Sequence, residues 1–140
     1  MTIPAVQSFI NGAAHLIGYQ IDTAWQRTGA QLVLERLNTP CARGYLLGLF
    51  DYLLTTAPVP QAEQESLLAL LYGSFIRDPD TALDVFTQRT ADRADAEVRA
   101  FAEAATRDAV ESAMKGARSH LLGAYLESHQ PHHVALARRG

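Results

Sequence analysis

Residues 38–57 read NTPCARGYLLGLFDYLLTTA, and this stretch decides the fold class. Asn38 and Thr39 stand before Pro40, an order that is typical of a helix cap followed by proline at the first helical position. From Pro40 to about Ala57, apolar side chains occupy nearly every side of the predicted helix. A helix that is apolar all round has no face for water and must lie in the middle of a bundle. The stretch therefore predicts a central helix surrounded by others.

The segments on either side of this helix are also predicted to be helical. Pro4 begins a first helix with apolar residues at three- and four-residue steps, and Asp22 or Thr23 is expected to cap a second. Prolines predict a turn at 57–61, and Pro79 begins a short helix. No run alternates between apolar and polar residues as a strand would. The sequence predicts an all-α, compact single-domain bundle of five to six helices.

The stretch 91–128 predicts a long C-terminal helix. Its charged residues alternate in sign every four positions, so that neighbours meet on one helix surface. This charge ladder consists of Asp95, Arg99, Glu103, Arg107, Glu111 and Lys115. After Gly116 the pattern changes, which predicts either a bend or a change of packing partner. The domain is expected to span 1–128, and residues 129–140 are expected to form a flexible tail.

Composition restricts the classes of function. The 140 residues are 48% hydrophobic and 19% charged with a net charge of −3, which is typical of a globular domain. The basic residues are scattered along the chain, which disfavours nucleic acid as a partner. No apolar run approaches the roughly 20 residues of a membrane helix, and residues 1–21 lack the basic start of a signal peptide. A single cysteine, Cys41, favours a cytoplasmic protein.

Few residues suggest chemistry. His129, His132 and His133 lie within five positions, but Pro131 separates them and no helical metal-ligand spacing occurs, so we predict no metal site. Cys41 lies near a helix start, where the helix dipole favours a thiolate; the alternative is a buried, inert thiol. The sequence contains no phosphate-binding loop, nucleophile elbow or cofactor fingerprint. We therefore predict a protein that is not an enzyme and has no cofactor.

The first helix has an unusual second face. Gln7, Asn11, His15 and Tyr19 are polar but uncharged, whereas a solvated helix usually carries Lys, Glu or Arg there. Interfaces lose charge at their centres, so these four residues are the predicted partner-binding site; coverage by the chain's own tail is the alternative. The predicted function is a non-enzymatic protein-binding module, such as a bacterial adaptor, inhibitor or immunity-type protein. Its partner is another protein or a second copy of itself.

The alternative function is a small-molecule- or metal-binding bundle. In this interpretation His120, Tyr125 and Glu127 line an internal pocket, with His120 buried beside Glu127 or Asp51. A histidine bonded only to backbone groups would have a structural role instead.

One segment resembles a known family. FDYLLTTAPVPQAEQESLLALL, residues 50–71, is similar to the paired helices of tellurite-resistance-type helical domains. The family has acidic residues before the turn, where Thr55, Thr56 and Ala57 stand here. The resemblance implies a helix hairpin and leaves a metal role unsupported.

Overall fold

A computed structural model describes residues 3–57 and 59–130. These residues form helices and no strands, which confirms the predicted all-α class. The helices in chain order are α1 (Ile3–Ala13), a π-helix (Ala14–Gly18), α2 (Tyr19–Thr28), α3 (Ala30–Leu37), α4 (Pro40–Thr56), α5 (Gln61–Ile76), α6 (Pro79–Thr87), α7 (Arg89–Ala94), α8 (Ala96–Lys115) and α9 (Leu121–Ser128). Within the two described ranges, every helix is too short or too polar to traverse a lipid bilayer.

α4 is the central helix, as predicted, and α8 lies directly against it. Two glycines one turn apart, Gly44 and Gly48, permit this approach. A Cβ atom at Gly44 would lie 2.6 Å from the Val98 carbonyl oxygen, and one at Gly48 would overlap the backbone of Ala102. The hydroxyl of Thr106 donates to the Gly48 carbonyl oxygen at 3.2 Å. The two helices therefore touch backbone to backbone, and α8 supplies small residues for the contact.

Aromatic side chains of α4 connect this helix pair to its neighbours. The Tyr45 ring meets Phe101 of α8 edge to face, with 5.6 Å between ring centroids, and Tyr125 of α9 in the same way at 6.1 Å. On another side of α4, Phe50 stacks on Tyr72 of α5 at 4.9 Å. Such aromatic contacts add to the stabilisation from the buried area itself. One continuous core therefore extends from α4 into α5, α8 and α9.

The helix start predicted at Asp22 or Thr23 does not occur. The chain stays helical from α1 through the π-helix into α2. At the end of the π-helix, the backbone N–H of Tyr19 donates to the carbonyl oxygen of Ala14, five residues earlier, whereas an α-helix would use the residue four positions earlier. A capping residue must leave helical backbone geometry. Here the Asp22 carboxylate forms an ion pair with Arg77 at the end of α5, so the acid joins two helices and caps none.

Two glycines with positive φ interrupt the helical chain. Gly29, with φ 99°, separates α2 from α3. Gly116, with φ 70°, ends α8, and the helix resumes only at Leu121 as α9. The single helix predicted over 91–128 is therefore wrong in extent, although α8 is long. These breaks, with a further one at Asp95, give more helical segments than the five to six expected.

The predicted charge ladder forms only in part. Asp95 is the cap of α8, and its carboxylate accepts from the backbone N–H groups of Glu97 at 2.9 Å and Val98 at 3.2 Å. Among the described residues, the one ladder pair within 4 Å is Glu111 with Lys115. The tail expected at 129–140 lies outside the described residues from position 131 onward.

Candidate functional site

The uncharged side of the first helix faces outward. Gln7, Asn11 and His15 are exposed, and so is Ser8 between them. The Gln7 side-chain amide donates to the Asn11 amide oxygen at 2.9 Å, so these two side chains share one side of α1. His15 follows in the π-helix. Three of the four residues predicted to bind a partner are therefore accessible, and we call Gln7, Asn11 and His15 the α1 flank.

The fourth residue, Tyr19, is held by its own chain. It is half-buried, and its hydroxyl donates to the Ser119 carbonyl oxygen in the segment between α8 and α9. The Arg118 guanidinium carbon lies 4.7 Å from the centre of the Tyr19 ring. Burial raises the pKa of Tyr19, with Arg118 opposing the rise and Asp108 adding to it. Tyr19 therefore belongs to the junction of α2 with α9 and stands apart from the α1 flank.

Asp108 organises that junction, and the sequence analysis missed it. Its carboxylate is buried in α8 and accepts from the Ser119 hydroxyl at 2.6 Å and from the backbone N–H groups of His120 at 2.9 Å and Leu121 at 3.2 Å. An acid that accepts from the first N–H groups of a helix also suits the positive end of the helix dipole. Asp108 thus caps α9 from another helix.

His120 takes its position from the same acid. Its Nδ1 lies 3.1 Å from the second Asp108 oxygen, and 69% of its side chain is exposed. The acid beside His120 is therefore neither of the two expected. Asp51 pairs with Arg93 at 2.8 Å, and Glu127 pairs with Arg27 at 3.2 Å. One signal in the sequence pointed to Asp108, because this acid stands among small residues of α8, Ala104, Ala105 and Ala109, that are buried with it.

Gln20 completes the junction from α2. Its amide nitrogen donates to the Leu16 carbonyl oxygen, and its amide oxygen accepts from the backbone N–H of Gly123 in α9 at 2.8 Å. Gln20 is buried, so both bonds are needed to offset its loss of water. The π-helix contains Leu16, and its carbonyl oxygen accepts this bond from a side chain. The polar contacts of α9 therefore come from both α2 and α8.

A shallow depression of about 250 Å³ lies between α2 and α9. His120, Glu127 and Tyr19 line it, and the Glu127 carboxylate is 3.2 Å from an Arg27 nitrogen at its rim. Tyr125, the third residue expected in this pocket, does not line it. Its ring is buried against Tyr45, and its hydroxyl shares a hydrogen bond of 2.9 Å with Thr39. The structure thus brings His120 and Glu127 together and adds Tyr19 from the other predicted site.

Cys41 is buried in the core, as the inert alternative predicted. Burial raises its pKa to about 12, against a smaller lowering by the Tyr45 hydroxyl and a further rise from Glu97. Desolvation of the thiolate therefore outweighs the favourable helix start. The described residues contain no cluster of three metal-ligating side chains, and His132 and His133 lie outside them.

The chain matches no protein-family model, and the comparisons with curated proteins and with solved structures found no match. The similarity of residues 50–71 to tellurite-resistance-type helical domains therefore stands on the sequence pattern alone.

Thiol chemistry at Cys41 can be tested by alkylation. With a pKa of about 12, about one thiol in ten thousand is ionised at pH 8. We expect iodoacetamide to label the folded chain at least about a hundredfold more slowly than the same chain in denaturant, measured by mass spectrometry over time. Equal rates in the two states would contradict this account and restore Cys41 as a candidate nucleophile.

Proposed function

We propose that this chain is a non-enzymatic helical module that binds another protein through the α1 flank. The observation that carries the proposal is the exposure of Gln7, Asn11 and His15 on a helix without charge. The whole stretch 1–21 contains no Asp, Glu, Lys or Arg. A surface that only meets water gains from charge, whereas the centre of an interface avoids it because a buried charge must lose its hydration. The composition of this face is that of an interface.

The α1 flank also indicates the chemistry of its partner. Side-chain amides both donate and accept, so Gln7 and Asn11 can bond to backbone or amide groups of another protein. Ile3, at the start of the same helix, is 85% exposed and offers an apolar contact. The partner surface we propose is uncharged, with free hydrogen-bonding groups beside an apolar patch. The single cysteine is compatible with action in the cytoplasm.

A charge placed in the α1 flank tests this proposal. We expect Gln7→Glu to weaken partner binding by about tenfold, because the new carboxylate must be desolvated in the complex. Gln26→Glu makes the same chemical change at an exposed site on α2 and should leave binding unchanged. The measurement compares the proteins that untagged wild-type and variant chains retain from the host lysate. Identical sets for wild type and Gln7→Glu, with unchanged thermal melting, would contradict the proposal.

A second candidate function is the binding of a small polar molecule in the depression between α2 and α9. The observation that favours it is the exposed His120 ring, which Asp108 holds at one nitrogen while the ring lines the depression. Tyr19, His120 and Glu127 give the depression polar side chains, which bond to a small molecule by donating or accepting hydrogen bonds. At about 250 Å³ the depression fits only a ligand smaller than a drug-sized molecule.

Two histidine variants separate the candidates. The small-molecule candidate predicts that native mass spectrometry of the untagged chain shows a co-purified molecule. His120→Ala should lose this molecule and His15→Ala should keep it, because His120 lines the depression and His15 does not. The protein-binding proposal predicts the opposite: His15→Ala weakens retention of the partner protein, and His120→Ala does not. A wild-type chain that carries no additional mass would contradict the small-molecule candidate.

A further inference from the structure

The outward side of α8 carries charges that the fold does not use. Arg99, Glu103 and Arg107 follow one another at four-residue steps, and none of them forms an ion pair with another described residue. They lie on the side of α8 opposite the residues buried against α4, at 100° of rotation per residue. Neighbouring charges at this spacing usually interact within their own helix. Here they remain available to a partner.

Apolar side chains accompany these charges. Val110 is 40% exposed and Met114 is 83% exposed on the same side of α8. Beside them runs a groove of about 470 Å³ between α4 and α8, whose apolar floor includes Leu47 and Ala102. A second depression continues along α8 past Val110 to Met114. An apolar ridge next to an apolar groove, bordered by unpaired charges, is typical of a protein interface.

We propose that a second copy of this chain docks on this side of α8, antiparallel to it, with the two-fold axis at the level of residue 105. The order of charges argues for this partner. From Asp95 to Lys115 the signs alternate over six positions, so reversing the helix exchanges every negative residue with a positive one. Glu103 of one copy then lies beside Arg107 of the other, and Arg99 beside Glu111. A two-fold interface needs this kind of self-complementarity.

Other arrangements of the two copies are disfavoured by the same charges. In a parallel arrangement with residues in register, each charged residue would lie beside the identical residue of the other copy, so that like charges meet. An antiparallel arrangement shifted to place the axis at residue 103 or 107 would set like charges opposite each other. Like charges across an interface cost several kcal/mol. Placing the axis at residue 101 or 109 also sets opposite charges side by side, but it pairs only four of the six ladder residues, whereas the axis at residue 105 pairs all six. The ladder therefore favours the axis at residue 105. The charge pairs thereby specify geometry more than they add affinity.

The apolar groups satisfy the same geometry. With the axis at residue 105, Val110 of one copy lies at the level of residue 100 in the other, and Met114 lies at the level of residue 96. Arg99 and Glu103 line the groove between α4 and α8, so the groove includes the level of residue 100, where Val110 of the other copy lies. The exposed ridge of each copy therefore covers the groove of the other. Burial of Val110 and Met114 supplies the hydrophobic contribution to the dimer.

A charge exchange tests the proposed register by sedimentation equilibrium of the full-length chain. We expect Glu103→Arg or Arg107→Glu alone to raise the dimer dissociation constant by about tenfold, because each places like charges opposite each other. The double variant, Glu103→Arg with Arg107→Glu, should return it to within about threefold of wild type. Glu35→Arg, at an exposed position on α3, is the control for added positive charge and should change nothing.

Three results would overturn the inference. They are a wild-type chain that stays monomeric up to about 1 mM, single variants that dimerise as well as wild type, and a double variant that remains as weak as the single ones. All three positions are exposed, so we expect the variants to fold, and circular dichroism is the measurement that checks this. Gln7→Glu separates this inference from the proposed function, because a charge in the α1 flank should leave the α8 dimer intact.

Discussion

The backbone contact between α4 and α8 is the constraint on which the rest of the structure depends. Without side chains at Gly44 and Gly48, the two helices approach until the carbonyl oxygens of Val98 and Ala102 lie within 2.6 Å of the positions that Cβ atoms would take. This approach brings Phe101 into edge-to-face contact with Tyr45. The other helices then pack around α4, whose side chains are buried on nearly every side. Because α8 turns Phe101 and its small residues toward α4, its charged residues Arg99, Glu103 and Arg107 face outward, where we place the dimer contact.

A second constraint is the buried polar junction that holds α9. Asp108 of α8 and Gln20 of α2 together bond to the backbone N–H groups of His120, Leu121 and Gly123. A short helix has little stability of its own, so bonds from its neighbours determine where α9 lies. Besides α2 and α8, α3 contributes one, since the Arg36 guanidinium donates to the Leu126 carbonyl oxygen at 2.6 Å. The same bonds put His120 at the edge of the depression between α2 and α9. The candidate ligand site thus depends on contacts between helices that are distant in sequence, whereas the α1 flank is defined by the residue types of a single stretch of helix.

The sequence was informative where a local interaction determines the structure. Pro40 and Pro79 begin α4 and α6 as the sequence predicted, and the residue before each proline is the cap: Thr39 and Asp78 each accept from a backbone N–H three residues ahead. It was misleading where a distant residue decides: Asp22 resembles a cap, but its pairing with Arg77 depends on the position of α5. The acid beside His120 could not be identified for the same reason, since the loop after Gly116 sets which of several carboxylates it meets. Exposure of the α1 flank, by contrast, follows from periodicity within one helix.

The central claim is tested most directly by the free energy of unfolding of two glycine variants. Gly48→Ala puts a Cβ against the Ala102 backbone, where neither helix can yield without moving the other, and should lower that free energy by about 3 kcal/mol. Gly73→Ala, on the exposed side of α5 with no atom within 4 Å of the new Cβ, should leave it unchanged or raise it by up to about 1 kcal/mol. Urea titrations monitored by circular dichroism measure both values. If Gly48→Ala proved as stable as Gly73→Ala, the close contact between α4 and α8 would not be the basis of this fold.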